Sequence, residues 1–543
     1  MNALLVLPIV APLVGTALCL LAWRSVTAQR LVSVTAVAVA LAGAVAVLAQ
    51  VWDGTVVATQ SGGWPAPLGI TIVADPMSAV VLAVGLATIA AVLVFAIGQP
   101  GCDDDTPAFH PTYLVLTAGV SLAFLTGDLF NLFVAFELAL AASYVLLTLG
   151  ATRDQVRHGM TYVVINLVAS TLFVAAIAFV YAATGTVNLA DLAGRLTAVS
   201  PEVRTALSLT LVVVFGIKAA VFPLFFWLPD SYPTARAPVT AVFAGLLTKI
   251  GVYCLLRTQT LLFAPDGPST LLLVLAGLTM VIGVLGAIAQ GDMKRILSFH
   301  IVSQVGYMVL GLALFTVSGL AGAVFFLVHQ VPVKASLFLV GGMVDHAAGS
   351  TSLRRVGGLI RRIPVAAVLF GLAALSLAGV PPLSGFVGKL ALVEAGFDAG
   401  EWAIVAVSLA ASLLTLYSMT KIWNGVFWGR PDEPTPALAA VARIDAGHPA
   451  SASASSSALP NDVAPSGTTL VADHGAAPDG HHGAAPGRPA KLAVPPLMTG
   501  STVALVAVTV AIALFAGPLY GLCERAAQGL VDPTAYVQAV MGR

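Results

Sequence analysis

Apolar residues in this chain come in long unbroken runs. They show neither the alternation of a half-buried strand nor the one-sided stripe of a surface helix. A helix that crosses a bilayer needs about 20 mostly apolar residues. Fourteen runs approach or exceed that length, near 3–23, 30–51, 72–98, 111–127, 129–150, 158–183, 205–229, 236–257, 268–289, 294–316, 319–345, 363–397, 402–428 and 499–520. The pattern predicts an all-α integral membrane fold of about fourteen transmembrane helices. Two runs are interrupted. The seventh contains Pro223 and ends at Pro229, and the twelfth contains GVPPLSG at 379–385, with Pro381 and Pro382. Proline removes a backbone donor and clashes with the preceding turn. Inside a membrane the carbonyls it frees must face protein or water. The first run, MNALLVLPIVAPLVG, has no basic n-region and no small-residue cleavage site, so it reads as a first span and not as a removable signal.

Composition supports the membrane assignment. Hydrophobic residues make up 58% of the chain and charged residues 9%, against roughly 25% charged in soluble domains. A soluble fold of this size would lack surface charge, whereas a lipid-facing surface needs little. The net charge of zero gives no sign of a nucleic-acid partner. Cys19, Cys102, Cys254 and Cys523 lie far apart and form no CxxC pair, so neither a disulfide framework nor a metal–sulfur site is expected. No cofactor is expected either.

Loop Lys and Arg residues set orientation. With the N-terminus outside, inward loops carry Arg24, Arg30, Arg153, Arg157, Arg236, Lys294, Arg295, Arg354, Arg355, Arg361, Arg362, Arg430, Arg443, Arg488 and Lys491. Outward loops and the tail carry only Arg195, Arg204, Arg257, Arg525 and Arg543. Both termini are therefore expected outside a bacterial plasma membrane. The acidic CDDD at 102–105 runs against the trend. Residues 431–498 are rich in Ala, Ser, Pro, Gly and Asp and read as a disordered inward loop. Its His474, His481 and His482 read as solvated linker residues.

Ionisable residues inside the spans carry the functional signal. A Lys or Asp at a helix centre costs about 3 kcal/mol on insertion scales. Glu137, Lys218, Lys249, His329, Lys334 and Lys389 all lie within spans, and Glu394 lies nearer the end of its own. Lys421 sits near the end of span thirteen and reads as a side chain snorkelling to the interface. A lysine taken out of water loses its proton more readily, and a neighbouring carboxylate restores it. A row of such groups can relay protons through bound water. The breaks beside Lys218 and Lys389 suit this, because a broken helix exposes backbone dipoles and admits water.

Spans seven and twelve are five apart, and each pairs a proline break with a lysine. A five-span unit repeated must be inverted, and inverted repeats with paired broken helices mark transporters. The expected organisation is a three-helix segment (1–105), a first repeat (111–258), a second inverted repeat (268–428), the loop (429–498), and a last span with its tail (499–543).

The motif WLPDSYPTARAPVTAVFAGLLTKIGVY (227–253) resembles the core signature of the proton-translocating, antiporter-like membrane subunits. These occur in respiratory complex I, membrane-bound hydrogenases and Mrp-type multisubunit Na⁺/H⁺ antiporters. LFVAFELALAASYVLL (132–147), LVHQVPVKASLFL (327–339) and GVPPLSGFVGKLAL (379–392) match its other hallmarks. The resemblance covers residues 1–428 and the last span, and is nearest to the D-type members of Mrp antiporters. It implies a proton-translocating, non-enzymatic subunit of a hetero-oligomeric cation/proton antiporter, exchanging Na⁺ or another monovalent cation. The alternative is a proton-pumping membrane subunit of complex I or a hydrogenase. By the same resemblance, Glu137 and Lys218 form the ion pair of a first half-channel and Lys249 is the central relay. His329, Lys334 and Lys389 serve the second half-channel. Relatives often carry His four residues before the Lys334 position, where this chain has Gln330, with His329 one residue earlier.

Overall fold

The computed structural model describes residues 3–264, 269–436, 438–439 and 494–542. Most of the loop expected to be disordered, with His474, His481 and His482, lies outside the described residues.

Long apolar runs fold as helices because only a helix satisfies every backbone donor within one lipid-exposed segment. Helices α1 (Ala3–Leu21) and α2 (Val26–Gln50) come first. A hairpin follows, β1 (Val57–Gln60) antiparallel to β2 (Thr71–Ala74), with Val57 opposite Ala74. Next are α3 (Pro76–Gly98), α4 (Phe109–Leu125), α5 (Leu129–Thr148), α6 (Arg153–Thr184), α7 (Leu189–Arg195), α8 (Pro201–Ala219) and α9 (Leu228–Ser231). Helix α10 spans Ala237–Leu261 with a π-helical turn at Phe243–Leu247. Then come α11 (Thr270–Ala289), α12 (Met293–Leu314), α13 (Val317–Ala348), α14 (Pro364–Ala378), α15 (Ser384–Asp398) and α16 (Trp402–Trp428). The described chain closes with α17 (Pro496–Leu514), α18 (Ala516–Val531) and α19 (Thr534–Met541).

Among the described residues, eleven helices are long and apolar enough to cross a membrane. The other three expected spans correspond to the shorter α4 and to two interrupted segments, α8 with α9 and α14 with α15. Both breaks fall at the prolines. Helix α8 stops at Ala219, with Ala220 left-handed at φ 61°, and α14 stops at Ala378, with Gly379 at φ 86°. Pro223, Pro381 and Pro382 are exposed. A residue without an N–H leaves no donor unsatisfied at such a position.

Helices α10 and α13 are buried throughout their most apolar stretches, and α12 nearly so. A helix apolar all round is an interior helix. These three form the centre of the bundle, and exposed apolar residues such as Leu31, Val168, Val368 and Leu413 belong to the helices around them.

Three expectations change. The last span, expected over 499–520, ends at Leu514, and the tail folds as two more helices. On α18, Leu522, Cys523, Ala526, Ala527 and Leu530 are buried on one face, which packs on α13. Such a one-sided helix is too polar for a lipid-facing span yet well suited to lie against protein. Arg257, assigned above to an outward loop, lies within α10 and is buried against Asp75, with Nη2 2.6 Å from Oδ2. Arg30 lies within α2.

The acidic loop is neutralised locally. Asp103 is fully buried and accepts from Arg30 Nε at 2.6 Å and Nη2 at 2.8 Å, with His110 Nε2 at 3.0 Å. Asp105 accepts from Arg236 Nη2 at 2.9 Å. Burial alone would raise the Asp103 carboxyl, but Arg30 and His110 hold it at about 2. Its stabilisation is present above the ordinary carboxylate value of about 3.9 and is lost only as pH falls through 2. Asp103 and Asp105 thus each meet a basic side chain of the same chain.

Candidate functional site

The site begins at the first break. Lys218 is the penultimate residue of α8 and is 4% exposed. Its Nζ lies 3.3 Å from Ser170 Oγ, 3.4 Å from Asn166 O and 3.5 Å from Asn166 Oδ1, and 5.5 Å from the Phe136 ring centroid. Ser170 in turn donates to Glu137 Oε1. Glu137 and Lys218 are within electrostatic reach but form no salt bridge. The direct ion pair implied by the resemblance is therefore corrected to a bridged pair, with one hydroxyl accepting from the ammonium and donating to the carboxylate. Ser170 and Asn166 escaped the sequence reading. Their signal was a four-residue spacing of polar groups on one face of span six.

Lys249 follows on α10 and is fully buried. Its Nζ donates to Ala244 O at 2.7 Å, within the π turn. A π turn breaks the regular i to i−4 ladder and leaves such a carbonyl available. Helices α8 and α10 touch at Gly251, where a Cβ would come within 2.5 Å of Ala219 N and 2.8 Å of Lys218 C. A side chain there would push the two lysine-bearing helices apart. A cavity of about 10 Å³ lies at this junction, lined by Lys218, Asn166, Tyr162, Tyr232, Leu247 and Ile250 among others. That is room for about one water molecule.

The central helix α13 carries His329 and Lys334, both fully buried. It runs unbroken through Pro332. His329 Nδ1 is 2.8 Å from Ser384 Oγ at the start of α15, while its Nε2 has no partner. Lys334 Nζ also has none. Lys334 lies within electrostatic reach of both Lys249 and Lys389. An ammonium or imidazole left without a protein partner in a buried site calls for water. Gln330 faces Gln304, with Nε2 3.5 Å from Oε1.

Lys389, on α15, reaches back across the second break. Its Nζ donates to Leu377 O and Ala378 O, both at 3.0 Å, and to Ser412 Oγ at 2.9 Å. The two carbonyls close α14, so the cation sits at the negative end of that helix. Gly379 permits the approach, because a Cβ there would lie 2.8 Å from Lys389 Cδ and its φ of 86° disfavours other residues. Glu394 is exposed and lies outside this cluster.

Lys421 does not simply snorkel. Its Nζ donates to Ile288 O at 2.8 Å and Gln290 O at 2.6 Å, capping the end of α11. A cation on final helical carbonyls contributes about 0.3–1 kcal/mol, and up to about 2 when partly buried. Lys421→Ala is thus expected to lower the thermal unfolding midpoint of the purified protein measurably. An unchanged midpoint would return Lys421 to a purely interfacial role.

Helices that bury ionisable groups along the bundle interior, with two helices broken beside lysines, define a polytopic membrane protein built like an ion translocator. Residues 126–415 match the family described as NADH:quinone oxidoreductase/Mrp antiporter, TM. The chain is 44% identical over 432 residues to the D-type subunit of the Na(+)/H(+) antiporter of Alkalihalophilus pseudofirmus, covering 79% of this chain and 88% of that one. It is 38% identical over 440 residues to the corresponding Na(+)/H(+) antiporter protein of Bacillus subtilis, covering 80% and 89%. A chain in the solved Mrp complex from Dietzia sp. DQ12-45-1b superposes with a TM-score of 0.83 at 34% identity, with full coverage of both chains. A chain of respiratory complex I from Thermus thermophilus shares the fold, with a TM-score of 0.75 at 22% identity over 97% of this chain and 99% of that one. The chain belongs to the NADH:quinone oxidoreductase/Mrp antiporter transmembrane family.

Proposed function

We propose that this chain is a proton-translocating subunit of a multisubunit cation/proton antiporter, working with other membrane subunits in a bacterial plasma membrane. The observation that carries this is the buried series Lys218, Lys249, Lys334 and Lys389, with Glu137 and His329 beside it, in a chain 44% identical to a Na(+)/H(+) antiporter subunit. Protons enter a first half-channel at the Glu137–Ser170–Lys218 bridge, pass Lys249, and reach Lys334, His329 and Lys389 in a second. Each lysine holds or releases a proton as water and neighbouring charges change around it. The two halves correspond to two inverted five-helix repeats, each with one broken helix. Both termini face outward, in keeping with the excess of Arg and Lys on the opposite side. The likeness to complex I, at 22% identity, concerns the fold alone.

An assembled complex is expected to exchange Na⁺ for protons in everted vesicles from an antiporter-deficient host, read as dequenching of a ΔpH dye on adding Na⁺. The chain produced alone is expected to give none, because the family's named relatives are subunits. Robust exchange by the purified single chain would overturn the requirement for partners.

A further inference from the structure

We propose that the hydroxyl face of α16 is a second water-carrying route, joining Lys389 to the end of the bundle that bears Arg295 and Lys421, with His300 passing protons along it. This rests on the proton-translocating reading above. Ser408, Ser412, Thr415, Ser418 and Lys421 recur at steps of three and four residues and so share one face of the helix. Ser408, Thr415 and Ser418 are buried, whereas Leu409, Leu413 and Tyr417 on the other side are exposed. At a rise of 1.5 Å per residue, successive hydroxyls stand about 4.5–6 Å apart along the axis. One water molecule, bonded at about 2.8 Å to each, spans that gap.

The stripe is anchored at both ends. Ser412 Oγ accepts from Lys389 Nζ at 2.9 Å, and Ser418 Oγ lies 2.8 Å from His300 Nε2. His300 is fully buried, and its Nδ1 has no partner. It lies within electrostatic reach of Lys334 and Lys389. Tyr307, two helical turns along α12 from His300, donates to Ser408 O at 2.6 Å, and its ring centroid is 5.0 Å from Lys389 Nζ. Thr415 donates to Ala411 O at 2.8 Å, which leaves its oxygen free to accept from water.

Ordinary packing accounts for three of the hydroxyls: Ser408 and Thr415 donate to Val405 O and Ala411 O of their own helix, and Ser412 donates to Ala378 O at 2.8 Å. It does not explain a buried imidazole with an open nitrogen beside the stripe. In a relay, one imidazole nitrogen takes up a proton from water as the other releases one to Ser418. The Ser418 hydroxyl proton passes to the next water, so ring and hydroxyl each keep their number of protons. The relay continues past Thr415 and Ser412 to Lys389. His300 and the α16 hydroxyls were not among the ionisable candidates of the sequence, unlike Lys389, and they give the second half a connection separate from Lys249.

The test uses the whole complex in everted vesicles, with protein level and assembly followed by immunoblot and native gel. Thr415→Val keeps the side-chain shape and removes the hydroxyl; it is expected to slow exchange at least tenfold. Thr415→Ser is expected to stay near wild type. His300→Gln can still bond Ser418 but cannot ionise, and is expected to slow exchange by a similar factor. Thr420→Val, on the exposed face with its hydroxyl on Leu416 O, is the unchanged control. If His300→Gln fails to accumulate, the Thr415 pair decides. Equal exchange by Thr415→Val and Thr415→Ser in a complex that exchanges normally would overturn the route. Absence of exchange by the wild-type complex would overturn the reading on which it rests.

Discussion

Replacing either Glu137 or Lys218 by alanine will abolish ion exchange by the assembled complex while the chain still enters the membrane. The two groups share Ser170, which accepts from Lys218 Nζ at 3.3 Å and donates to Glu137. Among the described residues, the Lys218 ammonium meets, besides Ser170, Asn166 and the Phe136 ring. Lys218 is buried and Glu137 partly so, and removing one member of a charged pair leaves the other uncompensated, at up to about 3–5 kcal/mol where both are buried. That loss falls on the charged form of the site and so on its capacity to hold and pass a proton. Insertion should survive, because alanine removes a charge that itself costs about 3 kcal/mol in a span. Glu137→Asp should retain partial exchange, since the charge remains and the reach shortens by one methylene. Ser170→Ala keeps both charges and removes the bridge. A hydrogen bond to a charged group is worth about 1.5–3 kcal/mol, so exchange should fall by about tenfold or more. Vesicle assays with protein level checked by immunoblot separate these outcomes. Normal exchange in Glu137→Ala at normal protein level would remove the pair from the pathway.

The second large effect is structural. Asp75→Ala and Arg257→Ala will each deplete the protein from the membrane. Asp75 caps α3, accepting from Ser78 N at 2.9 Å in a capping box, and also accepts from Arg257 Nη2 at 2.6 Å. The Arg257 guanidinium carbon lies 5.6 Å from the Tyr253 ring centroid and 5.0 Å from that of Tyr536, which belongs to α19. One ion pair thus ties α3, α10 and the C-terminal helix together. Breaking it from one side costs about 3–5 kcal/mol, and Asp75→Ala loses a helix cap worth about 1 kcal/mol more. The double substitution Asp75→Ala with Arg257→Met should be milder than Arg257→Ala and Asp75→Ala combined, because no uncompensated charge remains. Thermal unfolding of the purified protein in detergent measures this. Wild-type midpoints in both single variants would show that the pair contributes nothing.

Much of this protein could be read without coordinates. The length of each apolar run determined where helices form, because only a helix satisfies the backbone within a single lipid-exposed segment. GVPPLSG determined one break, and the residues around Pro223 the other, because proline cannot continue a helix. Lys218, Lys249, Lys334 and Lys389 stood out because a charge within a span is costly enough to need a reason. Those features are local, and a local physical rule suffices for each.

What only the tertiary structure decided are relations between segments far apart in sequence. Ser170 separates Glu137 from Lys218 although the three lie on α5, α6 and α8, and no local pattern encodes that distance. Lys421 looked like an interfacial side chain until α11 brought its last carbonyls to it. Arg257 counted as a loop residue until α3 supplied Asp75. The 515–531 segment was too polar for a span, and its buried face acquired meaning only against α13. A side chain's charge and span position follow from its own sequence neighbours, but its partner depends on which helices the packed bundle brings beside it.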